Sequence, residues 1–262
     1  MPRRPIRGLR TIVTGATSGI GRAVVVELVR QGARVIGMGR RRERLEQLAA
    51  ELPATADFRY FAGDVTNHAD RAQALNLAHT AFAGLDALIN NAGSGALGRF
   101  DEADEHRLRQ IMEVNFFAPA EFIREALPLL AAGRQPVIVN VSSVLGHRAV
   151  PLKSEYCASK FALHGLSDAL RAELAPRGID LLLVSPSTTA SEFFNVALSS
   201  GSARKPKSSS FGAMPAQTVA RRLVRAIAVG RRETILSAGG KALVWLDRLC
   251  PPLADFLIGR WG

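Results

Sequence analysis

The chain has 262 residues, of which 47% are hydrophobic, 22% charged and 6% aromatic, and its formal net charge is +11. This length and apolar content predict one α/β domain spanning residues 1–262, with a core over residues 8–236, and argue against a disordered or repeat protein. The few aromatic residues disfavour nucleic-acid binding, and two cysteines without metal-ligand spacing favour a reducing, cytoplasmic compartment.

The first predicted elements are a strand, a glycine-rich turn and a helix. The apolar run at residues 9–14 predicts the strand, and the periodic run at residues 20–29 predicts the helix. Between them, Gly15, Gly19 and Gly21 permit a sharp turn and a close approach of pyrophosphate to the helix N-terminus. A glycine-rich turn without a ligand is the alternative for this motif taken alone.

The second predicted strand, residues 34–38, leads into Gly39 and a run of arginines. NAD sites place an acid here to accept hydrogen bonds from the adenosine ribose, whereas the 2′-phosphate of NADP needs cationic donors. Gly39 stands where that acid would stand, Arg40 follows it, and Thr17 and Ser18 offer hydroxyls. We therefore predict NADP in preference to NAD, with Arg40 at the phosphate and the arginines after it on the solvated first turns of a helix.

Two further predicted strands, residues 58–62 and 85–89, are followed by polar residues at one crevice. Open α/β sheets bind ligands at the carboxyl ends of their strands. We therefore expect Asp64 to accept a hydrogen bond from the adenine amino group and Asn91 to line the path to the ribose. Each could alternatively cap the helix that follows it.

The pattern with the clearest chemical meaning is a tyrosine followed four residues later by a lysine. Tyr156 and Lys160 would share one helix face, and Ser143 lies thirteen residues before the tyrosine. An ammonium about 4 Å from a phenol, at an effective dielectric near 20, contributes about 4 kcal/mol, or about three pKa units. Lys160 is thus expected to bring the pKa of Tyr156 from about 10 towards neutrality. The phenol would then exchange a proton with a carbonyl oxygen that Ser143 also binds, while hydride is transferred.

These motifs, together with Asn115 and Pro186, resemble the short-chain dehydrogenase/reductase family over about residues 8–236. The resemblance implies a Rossmann-like, doubly wound, three-layer α/β fold with a seven-stranded parallel sheet. It implies a catalytic tetrad of Asn115, Ser143, Tyr156 and Lys160, in which Asn115 supports a water relay and Lys160 also holds the nicotinamide ribose. The cofactor-binding candidates are Gly15, Thr17, Ser18, Gly19, Ile20, Gly21, Arg40, Asp64, Val65, Asn91, Ala92, Gly93, Tyr156, Lys160, Pro186, Thr189 and Ser191.

One departure from the family pattern follows Pro186, where Ser187 replaces the usual glycine. A side chain there is expected to narrow the path beside the nicotinamide or to alter the backbone angles. Thr189 and Ser191 match the family positions that face the carboxamide. Upstream, His147 is expected at the rim of the substrate pocket or as an exposed loop residue.

Two segments near the end of the chain have unusual compositions. Residues 190–215 begin with an amphipathic stub and continue as a serine-rich linker, which predicts a mobile substrate loop and, from the stub, an apolar substrate. Residues 240–262 are apolar but too interrupted by prolines and charges to span a bilayer. We expect this tail to meet a membrane surface, a second subunit or the substrate cleft.

The combined prediction is an NADP(H)-dependent oxidoreductase that transfers hydride between nicotinamide and the carbonyl or secondary alcohol of an apolar small molecule. It is expected to be a cytoplasmic carbonyl reductase or alcohol dehydrogenase that forms a homodimer or homotetramer, without a metal or nucleic-acid partner, and with peripheral membrane contact through the tail as a further option. The alternative is a catalytically silent nucleotide-binding or regulatory protein on the same fold. The intact set of four catalytic residues argues against this alternative.

Overall fold

The computed structural model describes residues 3–193, 197–200 and 213–259. Its central feature is one parallel sheet of seven strands. The strands are β1 (Arg10–Thr14), β2 (Arg34–Gly39), β3 (Phe58–Ala62), β4 (Ala87–Asn90), β5 (Val137–Val141), β6 (Asp180–Ser185) and β7 (Glu233–Ile235). Their spatial order is β7-β6-β5-β4-β1-β2-β3. The predicted doubly wound sheet of seven parallel strands is therefore confirmed.

Helices cover both faces of the sheet. They are α1 (Gly19–Arg30), α2 (Arg42–Glu51), α3 (His68–Phe82), α4 (Glu105–Met112), α5 (Ala118–Ala131), α6 (Ser154–Leu174), α7 (Ala216–Val229), α8 (Ala238–Leu249) and α9 (Pro251–Gly259). A π-helical turn, Glu113–Phe117, joins α4 to α5. Two short parallel pairs lie outside the main sheet, formed by Ala96–Leu97 with Leu198–Ser199 and by Thr189–Ala190 with Met214–Pro215.

The two faces of the sheet each bury an apolar cluster. One cluster includes Val24 and Leu28 of α1 with Leu223 of α7, and the other includes Phe122 of α5 against Leu88 of β4. Because a parallel sheet covered on both sides exposes no strand face to water, its strands are continuous apolar runs without alternation. All five residues of β5 are accordingly buried.

A buried arginine ties the beginning of the described chain to distant segments. Arg4 is 1% exposed, and its guanidinium donates hydrogen bonds to the Gln135 and Ile227 carbonyl oxygens and to the Asp180 carboxylate. The last of these contacts is an ion pair of 2.8 Å. Since a buried cation must be paired and hydrogen-bonded, this arrangement fixes the segment before β1 onto β6 and α7.

The functional crevice follows from the strand order. The sequence of strands reverses between β1 and β4, and crevices at such switch points lie outside the carboxyl ends of the strands. The glycine-rich turn after β1 and the Asn91–Gly93 segment after β4 therefore meet at one place. In the part of the chain that the structure describes, no helix is both long and apolar enough to cross a membrane.

Candidate active site

The glycine-rich turn has the backbone that only glycine adopts easily. Gly15 and Gly19 have φ values of +67° and +53°, in the left-handed region that disfavours side chains. A Cβ on Gly21 would collide with the carbonyl oxygen of Gly15 and with the side-chain nitrogen, Nδ2, of Asn91. The first turn of α1 has no acidic residue, so its amides present an unopposed positive end to an anion.

The loop after β4 is held by Thr14, a residue that sequence reasoning missed. Its hydroxyl accepts hydrogen bonds from the backbone N–H groups of Asn91 and Ala92, both at 3.0 Å. The Asn91 side chain in turn donates to the carbonyl oxygen of Thr14 at 2.9 Å. Asn91 therefore joins the end of β4 to the end of β1, and its side-chain bond to Thr14 is not a helix cap. No sequence pattern distinguishes Thr14 from other strand threonines.

The predicted phosphate corner is occupied by Arg41 in place of Arg40. The Arg41 Nη2 atom donates to the hydroxyl oxygens of Thr17 and Ser18, both at 2.9 Å. The Arg40 side chain is 72% exposed and lies 3.7 Å from the Asp64 carboxylate. Adjacent arginines look equivalent in the sequence, but successive residues at the end of a strand point in different directions.

Asp64 and its neighbours have local partners in the structure. The Asp64 carboxylate accepts hydrogen bonds from the backbone and hydroxyl of Thr66, both at 2.9 Å, while Asn67 caps α3. Val65 is buried, and its carbonyl oxygen accepts a bond from Arg71. Asp64 thus stabilises the turn before the helix and does not cap the helix itself.

Glu192 reaches the phosphate corner from the opposite wall of the crevice. Its Oε1 atom lies 2.6 Å from Arg41 Nη1 and 2.7 Å from Arg44 Nη1. The hydrogen bond from Arg44, followed by those from Arg41 and Ser18, lowers the pKa of Glu192 to about 2. A cavity of about 940 Å³ opens here, lined among others by Thr17, Ser18, Gly19, Arg44, Ser191 and Glu192.

The predicted catalytic residues come together at the other end of the crevice. Tyr156 and Lys160 lie on one face of α6, with the lysine Nζ atom 5.8 Å from the centre of the tyrosine ring. Ser143 begins a short helical turn after β5 and forms a hydrogen bond with Tyr156. Lys160 Nζ donates to the Val141 carbonyl oxygen at 3.1 Å. Ser143, Tyr156 and Lys160 are all buried, as is Asn115, the fourth predicted catalytic residue.

The electrostatics of this cluster differ from the expectation. Burial raises the pKa of Tyr156 to about 12, although the hydrogen bond with Ser143 opposes the rise. Burial also lowers the pKa of Lys160 to about 8. The predicted fall of the tyrosine pKa is therefore not met in this structure, because desolvation penalises the phenolate and the ammonium is directed to Val141.

Asn115 sits within the π-helical turn and connects three segments. Both hydrogens of its side-chain amide are used, donating to the Ser94 carbonyl oxygen at 2.9 Å and to the Ser159 hydroxyl at 3.0 Å. Its Oδ1 accepts from the backbone N–H of Ser94 at 2.8 Å. A Cβ on Gly93 would lie 3.1 Å from Asn115 Oδ1 and 3.8 Å from Lys160 Nζ. Gly93 thus lies between two of the predicted catalytic side chains.

The strand end after β6 closes the crevice. The Pro186 carbonyl oxygen accepts a hydrogen bond from Val144, which fixes this end to the turn that begins at Ser143. Ser187 does not have a positive φ, so the side chain in place of glycine requires no left-handed backbone. Thr189 donates to the Ser187 carbonyl oxygen, and Ser191 lies against Gly19, where an added Cβ would be 3.2 Å from the serine Cβ.

An apolar cluster surrounds Tyr156. The Phe193 ring packs edge-on against it at 5.8 Å, and Ala96, Ile111, Leu145 and Leu198 complete the cluster. The described start of the predicted substrate loop therefore covers the phenol. The rest of that loop, residues 194–196 and 201–212, lies outside the described residues.

A buried ion pair beside Tyr156 was missed by the sequence reasoning. Arg107 and Glu155 are 2.7 Å apart, with side chains 6% and 1% exposed. The side chain of His147 is 5% exposed, and its Nε2 atom lies 3.0 Å from the Ser185 hydroxyl. The alternative of an exposed loop histidine is therefore wrong, and the position at the rim of the substrate pocket stays a prediction. Sequence spacing alone gives no indication of either contact.

The donor set fits a phosphorylated dinucleotide. A left-handed glycine turn at a helix N-terminus suits pyrophosphate, and Arg41 with two hydroxyls suits a further phosphate. In residues 3–193, 197–200 and 213–259, no group of three His, Cys, Asp or Glu side chains is arranged to hold a metal ion.

Comparisons with known proteins agree with this geometry. The family model for short chain dehydrogenase matches residues 10–200. Dehydrogenase/reductase SDR family member 7B of Bos taurus is 30% identical over 96% of this chain and 80% of its own length. An NADPH-dependent 3-dehydrocapnine reductase of Ornithobacterium rhinotracheale is 32% identical over 74% of this chain and 70% of its own length.

A solved structure of the same fold also supports this assignment. A short chain dehydrogenase/reductase from Burkholderia phymatum in complex with NAD superposes with a TM-score of 0.85 at 25% identity, covering 95% of this chain and 96% of its own. The fold, the family model and the relatives together establish the family. The chain belongs to the short-chain dehydrogenase/reductase family of oxidoreductases.

Proposed function

We propose that the chain is an NADP(H)-dependent oxidoreductase that acts on the carbonyl or secondary alcohol of an apolar small molecule, with Tyr156 as acid and base. The observation that carries the proposal is the cluster of Ser143, Tyr156 and Lys160 at the switch point of the sheet, next to Asn115 and Gly93. The nicotinamide cofactor, when bound, supplies or accepts the hydride.

Each side chain has a distinct proposed task. Because its pKa is raised to about 12, Tyr156 is protonated at neutral pH and is ready to donate to a carbonyl oxygen. Ser143 binds the same oxygen and orients it. Lys160 holds the nicotinamide ribose, and Asn115, whose amide hydrogens are both used, keeps the Ser94 segment against α6. The site in this state is therefore prepared for reduction.

The preference for NADP(H) is proposed to depend on Arg41. Its contacts with Thr17 and Ser18 place a cation and two hydroxyls around one point, as recognition of a 2′-phosphate requires. Gly39 supports this proposal, because the acid of NAD sites is missing there and a Cβ would lie 2.7 Å from a Thr17 methyl carbon. Arg40 would add longer-range attraction from its exposed position.

The substrate is proposed to be apolar around its reacting carbon. Phe193, Leu145 and Ile111 pack around Tyr156, and none of these side chains offers a hydrogen bond. Partners beyond the substrate are proposed to be a second subunit, as a homodimer or homotetramer, or a membrane surface. The exposed Trp245, Leu249 and Phe256 of the C-terminal helices are the surface for such a contact.

The test is Tyr156→Phe. Loss of the positioned proton donor should lower turnover by roughly 10²–10⁴-fold with a panel of apolar ketones, while NADPH binding remains. The matched control is Tyr60→Phe, which changes the only other tyrosine of the chain, on β3 and away from the pocket. Full activity of Tyr156→Phe would refute the acid role. Wild-type protein that binds NADPH but reduces no ketone would instead indicate the silent nucleotide-binding alternative.

A further inference from the structure

The contacts of Glu192 lead to an inference that rests on the proposed NADP(H) specificity. We propose that the Glu192 carboxylate competes with the cofactor's 2′-phosphate for Arg41 and is therefore a specificity-determining residue. The phosphate must displace this carboxylate before it can form its own ion pair. The strength of the internal ion pair then sets how far the protein favours NADPH over NADH.

Each nitrogen of the Arg41 guanidinium already donates to an acceptor. Its Nη1 atom donates to Glu192 at 2.6 Å, and its Nη2 atom donates to Thr17 and Ser18 at 2.9 Å. Its Nε atom also donates to the Thr17 hydroxyl, at 3.3 Å. Glu192 is the charged acceptor among them. These contacts use four of the five N–H hydrogens of the guanidinium, and the fifth is on Nη1, the nitrogen that already donates to Glu192. A phosphate on that hydrogen would lie beside the carboxylate and be repelled by it, so the carboxylate has to move away for the phosphate to pair with Arg41.

The Glu192 carboxylate and the 2′-phosphate are both anions that bind a guanidinium through paired hydrogen bonds. Both need cationic donors in a forked arrangement, which a guanidinium provides. Two such anions on one guanidinium would repel each other across a few ångströms. Arg44, 2.7 Å from the same carboxylate oxygen, can keep Glu192 after Arg41 has turned to the phosphate. Displacement of Glu192 from Arg41 therefore leaves its carboxylate paired with Arg44.

Glu192 lies in the chain between residues that contact the two ends of the crevice. It follows Ser191, which lies against Gly19 of the glycine-rich turn, and precedes Phe193, which packs on Tyr156. A residue that contacts the phosphate corner and the side chain that covers the phenol are therefore neighbours in the chain.

The test is the isosteric variant Glu192→Gln, measured first by nucleotide binding without turnover. If the internal ion pair forms in about nine of ten free molecules, it weakens the apparent affinity of a competing anion about tenfold. Calorimetric titration with adenosine 2′,5′-bisphosphate should therefore give a dissociation constant about tenfold lower in Glu192→Gln than in wild type. With 5′-AMP, which lacks the 2′-phosphate, the dissociation constant should change less than about twofold. In the enzyme assay, the ratio of kcat/KM for NADPH over NADH should rise about tenfold in Glu192→Gln.

Glu46→Gln is the matched control, because it removes one carboxylate of α2 that lies 3.9 Å from Arg42 and has no contact with Arg41. It should leave the ratio of the two nucleotide affinities within about twofold of wild type. Weaker binding of both nucleotides by Glu192→Gln would mean that the carboxylate closes over the bound cofactor, and this overturns the competition.

The outcomes also separate this inference from the function on which it rests. An unchanged affinity for the bisphosphate, found together with NADPH-dependent and Tyr156-dependent ketone reduction, overturns the competition and leaves the proposed function intact. Failure of both wild type and variant to bind the bisphosphate, together with absence of NADPH turnover, overturns both.

Discussion

Removing one partner of the buried ion pair between Arg107 and Glu155 should strongly destabilise the catalytic end of the crevice. Arg107 also donates to the Leu97 carbonyl oxygen at 3.2 Å and to the Ser200 hydroxyl, so it joins α4, α6 and the short strand pair. Arg107→Met would leave the Glu155 carboxylate, 1% exposed, without its cation. Breaking a buried pair in this way costs about 3–5 kcal/mol. At about 2–4 °C per kcal/mol for a chain of this size, Tm should fall by about 6–20 °C.

The assay is thermal unfolding followed by calorimetry, with Arg109→Met as the matched control. Arg109 is on the same helix and pairs with Glu105, but both side chains are more than 70% exposed. Such a pair contributes only about 0.2–1 kcal/mol, so Tm should fall by less than about 4 °C. Replacing both Arg107 and Glu155 with methionine should recover much of the lost stability, because no unpaired charge remains. The reasoning is refuted if Arg107→Met is no less stable than Arg109→Met.

Three further predictions concern cofactor, pH and tail. Arg41→Ala should lower kcat/KM for NADPH by roughly 10–150-fold, corresponding to about 1.5–3 kcal/mol, and should lower kcat/KM for NADH less. Arg40→Ala should have a smaller effect on NADPH. A larger effect of Arg40→Ala than of Arg41→Ala would mean that Arg40 binds the phosphate. Lys160→Met should reduce turnover and cofactor affinity. Burial lowers the pKa of folded Lys160 to about 8, so between pH 8 and 10.5 the unfolded chain binds a proton that the folded protein has released. The stability of the wild type should therefore rise with pH in this range, and Lys160→Met should lack this rise. Denaturant unfolding across this range checks the sign, and a pH-independent difference between the two proteins would contradict it. Deleting residues 240–262 should abolish either cosedimentation with anionic liposomes at low salt or the wild-type oligomeric state in gel filtration, and loss of neither would exclude both contacts for the tail.

The fold was predictable because its signals are local. Runs such as residues 34–38 and 58–62 have the length and apolar character of buried parallel strands, and glycines mark the turns between them. The catalytic spacing was predictable for a similar reason, since residues four apart on a helix share a face. Tyr156 and Lys160 accordingly meet on α6.

The predictions that were wrong or missing depend on side-chain directions and long-range distances, which residue spacing in the sequence does not determine. Which of two adjacent arginines turns towards Thr17 is decided by the last residues of β2, and the structure selects Arg41. The pKa of Tyr156 depends on burial and on where the lysine ammonium points, and Val141 takes that ammonium's hydrogen bond. Glu192 lies 151 residues from Arg41, so their contact has no sequence signal.

The acceptors of Arg4 have a consequence for the order of folding during synthesis. They lie 131 to 223 residues further along the chain, so the guanidinium acquires its complete set of partners only after α7 has been translated. Long-range closures of this kind are slow, and partly folded chains remain sensitive to proteases until they form. Nascent chains that end before residue 227 should therefore lack a native N-terminal segment even where β1, β2 and β3 have already paired. The residues around Arg4, which leave the ribosome before β1, would therefore reach their final positions after the first strands have paired.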